Sequence, residues 1–152
     1  KIGYNYRMSN IDAGIGRGQL MHLDEHIQRK KAIYQRYAEA FADIPEIMMN
    51  PMNPKGDANN WLSGMAIAPG SSVTPDSVMD ALEAENIESR PIWKPMHMQP
   101  VFAEYDFFNH NEHGVSVSED IFARGMCLPS DIKNTDEDMD KIIALVRALF
   151  GR

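Results

Sequence analysis

Apolar residues recur at helical spacing in several stretches of this chain, and turn-forming residues separate these stretches. Ser9 fits the N-cap of a first helix, and Asp12 follows at the third helical position as its capping partner. Met8, Ile11 and Ile15 share one face of this helix, so we expect that face to pack against a core.

Two glycines, Gly14 and Gly18, lie four residues apart in the same helix. Glycine in a helix interior costs about 1 kcal/mol relative to alanine, so the pair needs a structural reason. Close packing against another helix is the preferred explanation. Close approach of a backbone or of a ligand is the alternative.

The remainder of the chain alternates helices with short strands. Ser116 with Glu119 fits a capping box, and Thr74 and Thr135 fit helix N-caps. The order of elements predicts an α+β fold, in which helices pack on one face of a small sheet. The predicted elements are a helix from Glu25 to Asp43, a loop over 46–59, a strand from Trp61 to Ala68, a helix from Thr74 to Glu85, a strand from Ile87 to Ile92, a helix from Ser116 to Arg124, a strand from Met126 to Pro129 and a helix from Asp136 to Phe150.

The stretch from Arg90 to Pro100 contains three prolines together with Trp93 and His97. Each proline fixes its own φ and biases the preceding residue towards extended backbone, so the stretch predicts a stiff loop. Stiff loops with such side chains often display binding groups. A proline-braced structural loop is the alternative.

Composition and charge narrow the function classes. The chain has 152 residues, of which 43% are apolar and 24% charged, as is typical of one globular domain. A net charge of −7 argues against a nucleic-acid-binding surface. No apolar run approaches the ~20 residues that span a bilayer, and the first residues lack a signal-peptide core. We therefore expect a cytoplasmic protein without a membrane partner.

Cysteine and histidine usage points away from metal and disulfide sites. The single cysteine, Cys127, excludes an internal disulfide framework and suits a reducing compartment. It lies between Met126 and Leu128, which predicts an inert buried thiol. The five histidines show no metal-ligand spacing, so no metal site is expected.

A few polar side chains could bind a ligand, and each has a purely structural alternative. His97 could donate a hydrogen bond or carry a proton, or it could be structural. Arg90 could clamp a phosphate or carboxylate, or pair with Glu88. Asn5 and Arg7, just before a helix N-terminus, could bind an anion, or serve turn formation and solvation. These residues alone indicate a soluble α+β domain with a candidate anion site, and leave enzyme and binding module open.

Two stretches resemble the DegT/DnrJ/EryC1/StrS sugar aminotransferases. The segment from Gly3 to Leu20, which begins GYNYRMSNI, resembles one family motif. The segments RPIWKPMHMQP, at Arg90 to Pro100, and FARGMCLPS, at Phe122 to Ser130, resemble the C-terminal half of the family. The RPIWKPMH form is most similar to members that aminate UDP-4-keto-6-deoxy-N-acetylhexosamines on the route to bacillosamine-type sugars.

The resemblance implies a fold, a cofactor and site residues. The family has the aspartate-aminotransferase (fold type I) architecture and binds pyridoxal 5′-phosphate (PLP) as a Schiff base to a lysine. Glutamate is the usual amino donor, and homodimers build each active site from both subunits. By resemblance, Asn5 contacts the PLP phosphate, and Arg7 lies near that phosphate or the nucleotide sugar. The residues implied for the sugar-nucleotide pocket are Tyr6, Arg90, Trp93 and His97.

The resemblance also implies that residues 1–152 are the C-terminal small domain, including a linking helix region at 9–43. The chain opens on Lys1 in the middle of a motif, and the family's PLP lysine lies upstream of these motifs, in a large domain absent here. Lys94 is not assigned to that role, so no catalytic residue is identified and the chain alone is expected to be inactive. Two alternatives remain: a non-catalytic dimerisation or regulatory module, and a dehydratase-type relative with histidine in place of the lysine.

Overall fold

Five α-helices and four β-strands form the fold in the part of this computed structural model that is described, residues 3–110 and 114–152. Two 3₁₀ turns, Met96–Met98 and Pro100–Phe102, follow β3. The α+β fold predicted from the sequence is confirmed. The elements are α1 (Asn10–Leu20), α2 (Leu23–Ala40), β1 (Ile47–Met49), β2 (Ser63–Ile67), α3 (Pro75–Ala84), β3 (Arg90–Pro91), α4 (Val117–Arg124), β4 (Gly125–Leu128) and α5 (Asp136–Leu149).

The sheet has the strand order β1-β2-β4-β3, and each neighbouring pair is antiparallel. Strands β2 and β4 form its centre and are buried along their whole length. Met65 pairs with Met126 across this centre, and Gly64 pairs with Cys127. Because side chains alternate along a strand, the two methionines lie on one face and Gly64 and Cys127 on the other.

The first edge strand, β1, was not predicted. The predicted loop at 46–59 contains it, and Ile47 pairs with Ile67 of β2. Three residues between Pro45 and Pro51 are too few to show an alternating pattern, and the prolines favour a loop. The loop prediction was therefore wrong for residues 47–49.

The other edge strand, β3, is shorter than the predicted strand from Ile87 to Ile92. It spans only Arg90–Pro91. Ile87 donates its N–H back to the carbonyl of Leu82 at 2.9 Å, so it closes α3 instead of joining the sheet. Pro91 has no N–H to donate, which limits pairing and suits an edge strand.

Three helices, α2, α3 and α5, cover the methionine face of the sheet. Full burial of one such side chain contributes roughly 1.5–3 kcal/mol, so this cluster provides most of the driving force for folding. The Tyr37 hydroxyl lies within it and donates a hydrogen bond to the Pro129 carbonyl at 2.8 Å. The cluster comprises Ile33, Tyr37, Phe41, Ile44, Met65, Ile67, Val78, Leu82, Met126, Leu128, Met139, Ile142 and Val146.

The opposite face of the sheet is made of small residues. A Cβ placed on Gly64 would lie 3.6 Å from Ile92. A Cβ on Gly125 would lie 2.8 Å from Ile92 and 2.5 Å from the Ile121 carbonyl oxygen. Glycine at position 125 therefore allows α4 to turn directly into β4 beneath the loop that follows β3.

Ion pairs join α2 and the turn that follows it to α5 at the edge of the core. Arg36 bonds to Asp136 and, at 2.8 Å, to Asp140. Arg147 forms two bonds to the Asp43 carboxylate, at 2.6 and 2.8 Å. These bonds from Arg147 lower the pKa of Asp43 to about 2.

The N-terminal segment, residues 3–21, differs from the rest of the fold in its burial, and we call it the arm. Its helix α1 has the predicted capping box, with Asp12 N–H donating to Ser9 Oγ at 3.1 Å. Its apolar face is nevertheless exposed: Ile11 is 76% and Ile15 61% accessible. The expectation that Met8, Ile11 and Ile15 pack against a core was wrong, because α1 contains no buried residue.

The glycines of α1 also lack the close neighbour that the sequence led us to expect. A Cβ on Gly14 or Gly18 would meet nothing within 4 Å. Neither helix packing nor close approach of another backbone therefore explains them within residues 3–110 and 114–152. The helical pattern identified the apolar face of α1 correctly, but this chain does not cover it.

Cys127 is buried in β4, and burial raises the pKa of its thiol, as fits the predicted inert cysteine. Across the described ranges, no helix is long and apolar enough to cross a bilayer. Nor do these ranges hold a group of three or more His, Cys, Asp or Glu side chains that could bind a metal ion.

Candidate functional site

The start of the arm presents polar groups to solvent. The Asn5 side-chain oxygen accepts hydrogen bonds from the Arg7 backbone N–H at 3.0 Å and from Arg7 Nε at 3.2 Å. The terminal guanidinium nitrogens of Arg7 and the amide nitrogen of Asn5 have no partner among residues 3–110 and 114–152. The exposed rings of Tyr4 and Tyr6 lie 6.0 Å apart beside them. The turn chemistry inferred for Asn5 is present, and donors for an anion remain free.

His97 lies inside a side-chain cluster and is not displayed on the loop surface. Its ring stacks on Phe107, with centroids 3.6 Å apart and planes 14° apart. Its Nε2 is 3.3 Å from Oε1 of Glu119, without hydrogen-bond geometry, and the side chain is 17% exposed. The hydrogen bond that the Ser116 N–H donates to Glu119 is the largest cause of a lowered pKa at this carboxyl. His97 also lowers this pKa, by a smaller amount. His97 thus connects the 3₁₀ turn to the N-terminus of α4.

Arg90 and Trp93 lie on the rim of an open groove with a volume of about 1100 Å³. Arg90 Nε donates to Glu88 Oε1 at 2.7 Å, so the ion pair considered from the sequence is present. Trp93 lies against Trp61, with ring centroids 5.9 Å apart and planes at 32°. The groove therefore combines an arginine and two exposed indoles.

The six implied site residues occupy three separate places. Asn5, Tyr6 and Arg7 are on the arm, His97 is in the cluster with Phe107, and Arg90 and Trp93 line the groove. In the ranges that the structure describes, no hydrogen bond or ring contact joins the arm to either of the other two places. A shared site would require these places to meet through surfaces that the described chain does not supply.

Three neighbours of these residues were missed by sequence reasoning: Trp61, Phe107 and Glu119. Trp61 was assigned to a strand, but β2 begins only at Ser63 because Asn60 has a left-handed backbone, with φ 50°. The pair Asn59-Asn60 was the available signal for a turn there. Phe107 and Glu119 reach His97 across long sequence separations, and no local pattern predicts that contact.

The family profile of the DegT/DnrJ/EryC1/StrS aminotransferases matches residues 1–147. The chain belongs to this family. The family resemblance stated from the motifs is thereby confirmed. DegT/DnrJ/EryC1/StrS members are PLP-dependent sugar aminotransferases, and this chain covers only part of their length.

Curated relatives within the DegT/DnrJ/EryC1/StrS family include EpsN of Bacillus subtilis, described as a putative PLP-dependent aminotransferase, at 40% identity over 99% of this chain. GDP-perosamine synthase of Caulobacter vibrioides is 32% identical over 94% of this chain. In each case the chain spans 38% of the relative's length.

Solved structures confirm the same DegT/DnrJ/EryC1/StrS fold. A family aminotransferase from Brucella abortus superposes on the whole chain with a TM-score of 0.83 at 25% identity, and the chain covers 38% of it. DesV of S. venezuelae superposes with a TM-score of 0.85 at 22% identity, again over the whole chain and 39% of DesV. The small α+β unit described above is therefore a recurring part of larger family members.

The arm has the chemistry to hold the phosphate of PLP, the cofactor of the DegT/DnrJ/EryC1/StrS family. Arg7 retains terminal guanidinium donors that suit bidentate phosphate binding. The amide nitrogen of Asn5 is a second free donor, because only the Asn5 oxygen is engaged by Arg7. The fit extends to the phosphate alone, since no described contact brings a lysine to the arm.

Proposed function

We propose that the full-length protein is a PLP-dependent aminotransferase that transfers an amino group from glutamate to a nucleotide-linked 4-keto sugar. The observation that carries this proposal is the family match over residues 1–147, together with 40% identity to a putative PLP-dependent aminotransferase. The sugar substrate proposed is a UDP-4-keto-6-deoxy-N-acetylhexosamine, by resemblance of the RPIWKPMH motif.

In this proposal the arm binds the cofactor phosphate in the active site of a neighbouring subunit. PLP, when bound, supplies an electron sink for the transfer of the amino group. Asn5 and Arg7 anchor its phosphate through the donors that they leave free. The exposed apolar face of α1 supports this arrangement, because a large unpaired apolar patch is typical of a surface that another surface covers.

The nucleotide sugar is proposed to contact Tyr6, Arg90, Trp93 and His97. Arg90 exchanges Glu88 for a phosphate at little cost, since exposed ion pairs are worth about 0–1 kcal/mol. His97 sets the position of the loop through its stacking on Phe107 and orients it towards the sugar. The cytoplasm is the proposed location, since nucleotide sugars and glutamate are soluble metabolites.

The direct test is to express the full-length coding sequence and supply glutamate with a UDP-linked or a GDP-linked 4-keto-6-deoxy sugar. We expect an amino sugar from the UDP-linked substrate and a lower kcat/KM with the GDP-linked one. Preference for the GDP-linked sugar would overturn the assigned substrate. A 3-deoxy sugar product would favour the dehydratase-type relative, and no reaction with PLP bound would favour an interaction module.

The role of His97 is tested by His97→Ala in the full-length enzyme. We expect KM for the nucleotide sugar to rise several-fold while PLP content stays near that of the parent. His110→Ala is the matched control, because His110 is exposed in the same region. Loss of PLP from the His97 variant would show that its assigned role is wrong.

A further inference from the structure

Two tryptophans form an exposed pair at the mouth of the groove. Trp61 and Trp93 are the two tryptophans of the sequence, and each is 62% exposed. Their rings are 5.9 Å apart although the residues lie on different loops. The side-chain oxygen of Asn59 accepts a hydrogen bond from the backbone N–H of Trp61 at 3.0 Å. Asn60 turns the chain with a left-handed backbone, at φ 50°, so the backbone directs Trp61 away from β2.

The exposure of this pair to water is unfavourable in free energy unless a ligand covers the two rings. A tryptophan offers up to about 250 Å² of surface that is favourable to bury, and here two of them remain in water. The groove beside them, at about 1100 Å³, has room for a nucleotide-sized molecule. Planar aromatic ligands suit such a pair because they stack on indole faces.

The lining of the groove includes one basic side chain without an acidic partner in the described ranges. Glu85 is paired with Lys141 at 2.9 Å, and Glu88 is paired with Arg90. Lys94, next to Trp93 in the lining, forms no ion pair in the described ranges. The lining therefore includes an ammonium group without an ion-pair partner on the residue that follows Trp93.

The two remaining acids of the groove, Asp131 and Asp138, accept hydrogen bonds from backbone N–H groups. The Asp138 carboxylate accepts the Thr135 N–H at 2.9 Å in the cap of α5, which lowers the pKa of Asp138. Asp131 accepts the Lys133 N–H at 2.9 Å within its own turn. Both carboxylates keep their negative charge, and Lys94 is the basic side chain of the lining that remains for a ligand phosphate.

We propose that Trp61 and Trp93 form a stacking platform for the base of a nucleoside diphosphate, and that Lys94 binds its phosphates. The inference rests on the proposed function for the choice of ligand, and adds Trp61, Lys94 and a base subsite to it. The two indoles give affinity for any base through stacking, and the choice of uridine as the base follows from the proposed function.

The test measures UDP binding by calorimetry in the full-length enzyme. Trp61→Ala is expected to weaken UDP about tenfold, Trp61→Phe less, because a phenyl ring still stacks. Lys94→Ala is expected to weaken UDP and inorganic diphosphate but leave uridine unchanged. The matched controls are Phe108→Ala, an exposed aromatic outside the groove, and Lys55→Ala, an exposed lysine outside it.

Tryptophan fluorescence localises the binding. We expect UDP to quench the tryptophan fluorescence of the parent enzyme more strongly than that of the Trp61→Phe/Trp93→Phe double variant. Unchanged UDP affinity in both Trp61→Ala and Lys94→Ala would overturn the platform even if amination occurs. If the variants weaken UDP binding as expected but the enzyme aminates no nucleotide sugar, the platform is supported and the proposed function fails. Lower stability of Trp61→Ala with unchanged UDP affinity would show that other parts of the longer protein cover the pair.

Discussion

Helices α1 and α5 begin in the same way and have opposite environments. Ser9 with Asp12 caps α1, and Thr135 with Asp138 caps α5, each as a capping box. α5 buries three apolar side chains against the sheet, among them Ile142, whereas α1 buries none. The comparison teaches that a helix start is encoded locally, but that an apolar face does not reveal what will cover it.

This difference separates stability from function in the chain. Residues 23–152 contain the sheet and the helices that bury its core, so this part is the source of stability. The arm contributes free hydrogen-bond donors, which we propose for a cofactor phosphate, and an uncovered apolar face, so its use depends on another surface.

The largest effect is expected from one substitution placed in each region. Ile142→Ala should lower the free energy of unfolding of the 152-residue chain by about 3 kcal/mol, because it opens a cavity in the core. Ile15→Ala, in the middle of α1, should change it by less than about 0.5 kcal/mol. Urea unfolding followed by circular dichroism measures both. Equal losses at the two positions would mean that the arm is packed in solution.

A second matched pair exchanges glycine for alanine. Gly125→Ala should lower the free energy of unfolding by about 1–3 kcal/mol, because its Cβ would overlap Ile92 and the Ile121 carbonyl. Gly14→Ala meets nothing within 4 Å and should raise the helix content of α1 without moving the unfolding midpoint. Thermal unfolding and the far-ultraviolet spectrum report the two quantities. A destabilised Gly14 variant would place an unseen neighbour against α1.

A smaller effect is expected in how the free energy of unfolding depends on pH. Arg147 lowers the pKa of Asp43 to about 2, so the stabilisation is complete above the unfolded pKa near 4. It is lost as the pH falls from about 4 towards 2, because the carboxyl is then protonated. Asp43→Asn and Arg147→Gln should both flatten the loss of stability in this window. Unfolding monitored by tyrosine signals checks this, and an unchanged slope in both variants would contradict it.

Local signals accounted for most of the elements. The capping boxes of α1 and α4 were predicted from pairs of residues, the start of α5 from Thr135 as its N-cap, and the start of α3 from Thr74. Asn86, just after α3, has a left-handed backbone with φ 58°, a conformation in which asparagine is favoured at helix ends. These features succeed because the interactions that form them span only a few residues of sequence.

The wrong predictions concern contacts between residues that lie far apart in the sequence. β1 forms a strand because Ile67 of β2 lies beside it and pairs with it. α1 is exposed because the described residues provide no surface that covers its apolar face. In the candidate site, the contacts of His97 with Phe107 and of Trp93 with Trp61 join residues that no sequence pattern links. The motifs identified the family, whereas the positions of the side chains required the tertiary structure.

The central claim is that the groups on this chain serve a PLP site that other parts of a longer protein complete. The most direct measurement compares transamination and the visible absorbance of bound PLP in the 152-residue chain and in the full-length enzyme. We predict turnover and bound PLP in the full-length enzyme and neither in the chain alone. Turnover, or covalently bound PLP, in the isolated chain would contradict the account.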